Sequence, residues 1–130
     1  MSEEKKYSIL VVDDERSNIR ILNTALSPYY NVYAASNGVD ALEIADEFLP
    51  DLILLDIIMP DMDGYDVLDE LKNSETTQHI PVIFITGLSS KDDREKGIEM
   101  GAVDYIPKPF NSSKVIDTVK RQITILELGL

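Results

Sequence analysis

The chain has 130 residues, a length typical of one domain, and its 12 basic and 24 acidic side chains give a formal net charge of −12. This balance argues against direct binding to nucleic acid or to an anionic membrane, which requires a basic face, and it suits a cation site. The absence of cysteine excludes disulfides and thiolate metal sites. The N-terminus lacks the apolar core of a signal peptide, and no run approaches a membrane span. We therefore expect a cytoplasmic protein that contacts neither membrane nor nucleic acid.

Apolar runs alternate with helical patterns along the chain. The predicted strands span 8–12, 31–34, 52–55, 81–86 and 103–106. The predicted helices span 15–26, 38 to just before Pro50, 65–71, 89–100 and, after a cap at Asn111, Ser112 or Ser113, a stretch to about Leu128. The expected core positions of three helices are Ile19, Leu22, Leu26, Ala41, Leu42, Ala45, Phe48, Ile116, Val119, Ile123 and Leu126. The alternation predicts a single α/β domain, residues 1–130, with a doubly wound parallel sheet and helices on both faces.

The stretch from Pro50 to Gly64 is the most informative part of the chain. Its apolar run, 52–55, is short enough for a strand that is buried on both faces, and the run ends in Asp56. An acid at the carboxyl end of a buried parallel strand lies where α/β sheets hold ligands. Asp61 and Asp63, further along, are interpreted as turn and helix-start residues outside any site.

Polar side chains follow four of the five predicted strands. They are Asp13 and Asp14 after the first strand, Asp56 after the third, Thr86 at the end of the fourth and Lys108 soon after the fifth. The carboxyl ends of parallel strands share one edge of a sheet, so these side chains are expected to share a pocket. Carboxylates at ~4 Å repel by about 4 kcal/mol per pair at an effective dielectric near 20, so positive charge must lie among them. Lys108 supplies one such charge, and the lack of cysteine and of spaced histidines points to a hard cation, Mg²⁺.

A carboxylate, Mg²⁺, a lysine and a hydroxyl together are typical of a phosphoryl-transfer site. Asp56 is then the predicted nucleophile, which forms an acyl phosphate. Lys108 and Thr86 are expected to balance the charge of the phosphoryl oxygens together with the metal.

These residues, in this order and spacing, resemble the receiver domain of two-component response regulators along nearly the whole chain. The matching positions are Asp13–Asp14, Asp56 with Met59–Pro60 and Asp63–Gly64 after it, Thr86, and Lys108–Pro109. The resemblance implies a flavodoxin-like sheet with strand order 2-1-3-4-5. It also implies a cis Lys108–Pro109 peptide bond.

The resemblance assigns a role to each site residue. Asp56 is implied as the phosphoacceptor, Lys108 as the charge clamp and Thr86 as the switch hydroxyl. Tyr105 is implied as the aromatic residue that swings inward after Thr86. The implied ligands of Mg²⁺, or of Mn²⁺ in its place, are Asp14, Asp56 and the backbone carbonyl of Ile58, with Asp13 acting through water.

The function implied by the resemblance is a phosphorylation-controlled signalling switch. A sensor histidine kinase or a phosphotransfer protein would donate the phosphoryl group to Asp56, and the chain would catalyse only its own phosphorylation and dephosphorylation. The response would appear on the face formed by the fourth helix, fifth strand and fifth helix, a possible homodimer surface. The last helix is apolar to its end, which favours either an output domain beyond it or a partner on this face.

Two alternatives stay open from the sequence. A haloacid-dehalogenase-like phosphatase also forms an aspartyl phosphate, but it needs an acid two residues after the nucleophile, where this chain has Ile58. A receiver-like binding module that is never phosphorylated is the second alternative. Ile58 and Leu88, two residues past Asp56 and Thr86, are expected to border the approach of water and to slow hydrolysis of the acyl phosphate, unless they only cover loop backbone.

Overall fold

A computed structural model of the chain describes residues 6–88 and 91–129. The strands are β1 (Ser8–Val12), β2 (Asn31–Ala35), β3 (Leu52–Leu55), β4 (Val82–Thr86) and β5 (Asp104–Pro107). The helices are α1 (Arg16–Leu26), α2 (Gly38–Phe48), α3 (Gly64–Lys72), α4 (Lys91–Glu99) and α5 (Ser112–Leu128). The ten predicted elements are confirmed, while residues 89 and 90 of the predicted fourth helix lie outside the described residues. Across the described residues, no helix combines the length and apolar character needed to cross a membrane.

The five strands form one parallel sheet in the order β2-β1-β3-β4-β5, as the resemblance implied. β3 and β4 are buried along their whole length, and β1 is buried from Ile9 onward. A strand that is covered on both faces needs apolar side chains at successive positions, which explains the uninterrupted apolar runs in the sequence. β2 lies at an edge and is buried only at Ala35.

Successive residues of the central strands serve two separate cores, because side chains alternate between the faces of a sheet. Leu10 and Val12 of β1 belong to the core that also contains Ala41 of α2 and Val67 of α3. The intervening Ile9 and Val11 belong to the opposite core, which α1 and α5 cover with side chains such as Leu22 and Val119. The sheet is therefore covered on both sides, and its carboxyl edge is left for the loops.

Two predicted core positions are wrong. Phe48 is 48% exposed because it is the last residue of α2, and its ring stacks on Tyr33 of the edge strand instead. Leu126 is 40% exposed, and the buried stripe of α5 runs through Val115, Thr118, Val119 and Ile123. The stripe was predicted from apolar residues alone, so the buried Thr118 was overlooked. Asn111 is the residue that caps α5, since its side chain accepts a hydrogen bond from the Lys114 amide at 2.8 Å.

Candidate functional site

The carboxyl ends of the central strands bring the predicted polar residues together. The backbone ladder carries Asp13 and Asp56 to the sheet edge, where the Asp56 amide donates to the Val12 carbonyl at 3.0 Å and the Asp13 amide donates to the Ala35 carbonyl at 3.2 Å. Carboxylate oxygens of Asp13, Asp14 and Asp56 all lie within 4.8 Å of one another. The expected three-carboxylate cluster is therefore present at this edge.

Lys108 bridges two of the three carboxylates. Its Nζ lies 2.9 Å from Asp13 Oδ2 and 3.1 Å from Asp56 Oδ2, and its side chain is 19% exposed. Burial alone would lower the pKa of Lys108, but the hydrogen bonds and charges of Asp13 and Asp56 outweigh burial and raise it. The lysine thus stays charged and offsets part of the repulsion between two carboxylates that are almost fully buried.

Opposing effects act on the pKa of the Asp56 carboxyl group. Burial raises the pKa of Asp56, and the Asp13 charge adds to the shift, while the hydrogen bond and charge of Lys108 and the Ile58 amide oppose it. The Ile58 amide donates to Asp56 Oδ1 at 3.3 Å. Asp56 therefore has one oxygen on a backbone donor and the other on the lysine, and these two contacts offset part of the cost of burying its charge, although the pKa stays raised.

The buried Asp13 is held by two donors at the start of α1. The Glu15 amide donates to Asp13 Oδ1 at 2.9 Å, and Asn18 Nδ2 donates to Oδ2 at 3.2 Å. Asn18 was not among the predicted site residues. Side chains in a helix tilt toward its N-terminus, so an amide in the first turn of α1 can reach back to the acid before the helix. The signal in the sequence is the position of Asn18, an amide in the first helical turn after the Asp13–Asp14 pair.

The loop after Asp56 is fixed against the start of α3. The Gly64 amide donates to the Ile57 carbonyl at 2.8 Å, and a Cβ on Gly64 would collide with the carbonyl oxygen of Asp56. Asp63 caps α3 through a reciprocal pair of bonds with Asp66, at 2.9 and 3.1 Å. Asp61 has a φ of 69°, the left-handed conformation that aspartate tolerates in turns. The interpretation of Asp61 and Asp63 as turn and helix-start residues is confirmed.

The three carboxylates fit a divalent cation by the chemistry of their donors. All the side-chain donors are oxygens, as Mg²⁺ prefers, and Asp14 is exposed while Asp13 and Asp56 are buried. Lys108 supplies a single positive charge against three negative ones. The cluster therefore carries surplus negative charge on oxygen donors, which a hard cation can neutralise.

Thr86 lies at the end of β4, beside β5. It is fully buried, and its Oγ1 accepts a hydrogen bond from the Leu88 amide at 3.3 Å. Its carbonyl accepts a bond from the Lys108 amide at 2.8 Å, so the two predicted site residues are joined through the backbone. The Lys108–Pro109 bond is cis, as the resemblance implied.

The two residues predicted to border the water approach differ in exposure. The Ile58 side chain is 57% exposed. Leu88 is half-buried and packs against the core that contains Phe84 and Tyr105. Tyr105 itself is 8% exposed, and Arg94 of α4 lies 5.3 Å from the centroid of its ring.

A family model and curated relatives match this chain along most of its length. The family model described as the response regulator receiver domain matches residues 9–120. The "Probable cyclic di-GMP phosphodiesterase" of Vibrio cholerae is 47% identical over 111 residues, which are 85% of this chain and 25% of that protein. Response regulator PleD of Caulobacter vibrioides is 46% identical over 113 residues, which are 86% of this chain and 25% of that protein. This chain thus spans a quarter of the length of these curated relatives.

A solved structure gives the same result for the fold. The chemotaxis protein CheY4 of Vibrio cholerae superposes with a TM-score of 0.85 at 27% identity, covering 90% of this chain and 98% of that one. The family model covers most of the chain, from residue 9 to residue 120. The chain belongs to the family of response regulator receiver domains.

Proposed function

We propose that this chain is a phosphorylation-controlled switch in which Asp56 accepts a phosphoryl group from a phosphohistidine on a sensor kinase or phosphotransfer protein. The observation that carries the proposal is the position of Lys108, whose Nζ lies 3.1 Å from Asp56 Oδ2 and 2.9 Å from Asp13 Oδ2. Buried carboxylates that are paired with a cation and surrounded by further acids occur mainly at functional sites, and this arrangement suits phosphoryl transfer. The whole 130-residue chain is proposed to be one receiver domain.

The chemistry proposed for Asp56 is a single displacement. A carboxylate oxygen of Asp56 attacks phosphorus, the phosphorus–nitrogen bond of the donor breaks, and its electron pair stays on the imidazole nitrogen. Lys108, which already binds an Asp56 oxygen, is placed to neutralise charge on the phosphoryl oxygens. The Ile58 amide holds the other oxygen and so restricts the rotation of the nucleophile.

The proposed metal ligands are Asp14, Asp56 and the Ile58 backbone carbonyl, with Asp13 acting through water. Bound Mg²⁺, or Mn²⁺ in its place, supplies the positive charge that the transferring phosphoryl group and three carboxylates require together. The donor set described above supports this assignment. Asp13 is held by Lys108, Glu15 and Asn18, which leaves the exposed Asp14 as the more accessible ligand.

The proposed switch runs from Thr86 to Tyr105. Thr86 pairs with Pro107 and Phe84 pairs with Tyr105 across the β4–β5 ladder, so a movement at the end of β4 reaches β5 directly. The Thr86 hydroxyl accepts a hydrogen bond from the Leu88 amide at 3.3 Å, and it would donate its own proton to a phosphoryl oxygen. The response would then bias a two-state equilibrium of the face formed by α4, β5 and α5.

No turnover of an external substrate is proposed. The residue two positions after Asp56 is the apolar Ile58, which cannot act as the general acid that a haloacid-dehalogenase-like phosphatase needs. Ile58 and the half-buried Leu88 are instead proposed to shield the phosphorylated Asp56 from water and to prolong its lifetime.

The proposed partners follow from the family and from the surface of α5. A sensor kinase or phosphotransfer protein donates the phosphoryl group, and the output is an additional domain or a partner, since this chain spans a quarter of its curated relatives. A homodimer through the α4–β5–α5 face is the second proposed assembly. We propose a cytoplasmic location and no direct contact with nucleic acid, in keeping with the acidic charge.

The proposal is tested by incubation with acetyl phosphate and Mg²⁺, followed by mass spectrometry. Wild type should gain one phosphoryl group, and Asp56→Asn or excess chelator should abolish the gain. Asp61→Asn is the matched control, because it removes a carboxylate from the same loop at a turn position that asparagine tolerates. Labelling that persists in Asp56→Asn contradicts the assignment of the acceptor.

A further inference from the structure

Aromatic side chains from three elements form a layer beneath α4. Tyr65, at the start of α3, meets the ring of Phe84 from β4 edge-on, with centroids 5.6 Å apart and planes at 73°. Gly97 is the buried residue of α4, and a Cβ there would lie 2.8 Å from Phe84 Cδ2. Tyr105 of β5 belongs to the same core. The backbone of α4 therefore rests directly on this layer.

Two cations of α4 cover two tyrosine rings of the layer. Lys96 Nζ lies 4.0 Å from the centroid of the Tyr65 ring, and Arg94 lies 5.3 Å from that of Tyr105. An exposed cation over an aromatic ring shifts an equilibrium by about two- to fivefold. α4 is thus held to α3 as well as to β5, although it buries little apolar surface of its own.

The hydroxyls of the same two tyrosines are buried, and neither has a hydrogen-bond partner among residues 6–88 and 91–129. Burial raises the pKa of Tyr65 and of Tyr105, and the charge of Asp93 on α4 adds to both shifts. Both tyrosines lie against α4, where Lys96 covers the ring of Tyr65 and Arg94 covers the ring of Tyr105. A buried hydroxyl without a partner is unfavourable, so any position of α4 that admits water or an acceptor relieves this cost.

We propose that Tyr65 is a further residue of the switch and that it positions α4. Its ring holds α4 through Lys96, while its buried hydroxyl, which has no partner in the described part of the chain, disfavours the same arrangement. Tyr65 then sets the balance between the α4 position seen here and the one that phosphorylation populates. The inference rests on the proposed function, because it assigns a regulator to that switch. The ring and the hydroxyl act in opposite directions, so two variants should shift the balance oppositely.

The test measures the apparent affinity for beryllofluoride, a phosphoryl mimic, from the backbone amide shifts of α4 in the presence of Mg²⁺. Tyr65→Phe keeps the ring and removes the orphan hydroxyl, so it should stabilise the resting state and weaken apparent affinity by about fivefold or more. Lys96→Gln removes the cation and should strengthen apparent affinity by about two- to fivefold. If Tyr65 and Lys96 only stabilised the fold, the two variants would change the melting temperature, but their apparent affinities for beryllofluoride would not shift in opposite directions.

A matched control lies elsewhere on the surface. Lys120 Nζ is 5.9 Å from the centroid of the exposed Tyr29 ring, and Tyr29→Phe removes a tyrosine hydroxyl outside the α4–β5–α5 face. This control should bind the mimic as wild type does. If wild type itself gives no response, the proposed function fails. If wild type responds but Tyr65→Phe and Lys96→Gln match it, or shift in the same direction, the role of Tyr65 is overturned.

Discussion

Replacing Asp56 with asparagine should stabilise the folded chain while it removes the proposed acceptor. The substitution keeps the size and shape of the side chain and removes its negative charge, at a residue that is 3% exposed. It leaves the ion pair between Lys108 and Asp13 in place, at 2.9 Å. The buried cation therefore keeps a partner, and the repulsion between Asp13 and Asp56 disappears.

Three effects on the Asp56 charge set the size of the gain. Attraction to Lys108 at 3.1 Å amounts to about 5 kcal/mol at an effective dielectric near 20. Repulsion from Asp13, at a separation of up to 4.8 Å, amounts to about 3 kcal/mol or more on the same scale. Removing a carboxylate from water costs several kcal/mol, which exceeds the remaining attraction of about 2 kcal/mol. We therefore expect Asp56→Asn to raise the free energy of unfolding by about 1–2 kcal/mol.

Thermal unfolding followed by circular dichroism, near neutral pH and with chelator present, measures this gain. For a chain of this length, a gain of about 1 kcal/mol raises Tm by about 3–5 °C. Because the folded-state pKa of Asp56 is raised, the folded state binds the proton more tightly than the unfolded state. Wild type loses stability as pH rises through this pKa, and the advantage of Asp56→Asn should shrink as pH falls toward the unfolded value.

Asp69→Asn is the matched control, since it removes the same charge from an exposed position on α3. It should leave Tm nearly unchanged and so separates local burial from the net charge of the chain. An Asp56→Asn variant that is no more stable than wild type refutes the reasoning, because attraction to Lys108 would then outweigh burial and repulsion together.

Four further predictions, one of them on a double variant, test separate parts of the site. Lys108→Ala should slow labelling by acetyl phosphate about 100-fold, and an unchanged rate argues against the clamp. Thr86→Ala should still accept the phosphoryl group but lose the amide shift changes of the α4–β5–α5 face; a retained response rules out the switch hydroxyl. Ile58→Asn with Leu88→Glu should make the phosphorylated protein decay at least about tenfold faster in Mg²⁺ without kinase, and equal decay would mean that the apolar pair gives no protection. Gly64→Ala should lower the free energy of unfolding by about 1–3 kcal/mol in urea titrations, since its Cβ meets the Asp56 carbonyl, whereas Gly87→Ala, where a Cβ meets nothing, should cost less.

The strands and the site edge could be predicted because one physical rule governs both. A parallel strand that is covered on both faces must be continuously apolar, so its end is marked by the first polar residue. That residue is Asp13 after β1 and Asp56 after β3, and both lie at the edge where ligands bind. The strand order required the resemblance, because apolar runs do not encode which strands are neighbours.

Contacts that depend on helix rotation or on a missing side chain could not be predicted in this way. Asn18 reads as a polar residue on a helix surface until the geometry of α1 turns it toward Asp13. Gly97 lowers the helical propensity of α4, yet its small size is what lets the helix meet Phe84. Thr118 is buried in α5, whereas Leu126, which the apolar pattern predicts for the core, is 40% exposed. Each of these follows from packing between elements and not from a local pattern.

Because α4 buries little apolar surface against the rest of the fold, we expect its backbone amides to exchange hydrogen readily with solvent. Gly97 is its one buried residue between Lys91 and Glu99, so opening this helix exposes little apolar surface. Its amides should exchange with solvent through local opening, at a free energy well below that of global unfolding, while those of β1 and β3 exchange only when the whole sheet unfolds. Repositioning α4 therefore costs the fold little, and weak contacts on this face are enough to select one position of the helix from an ensemble.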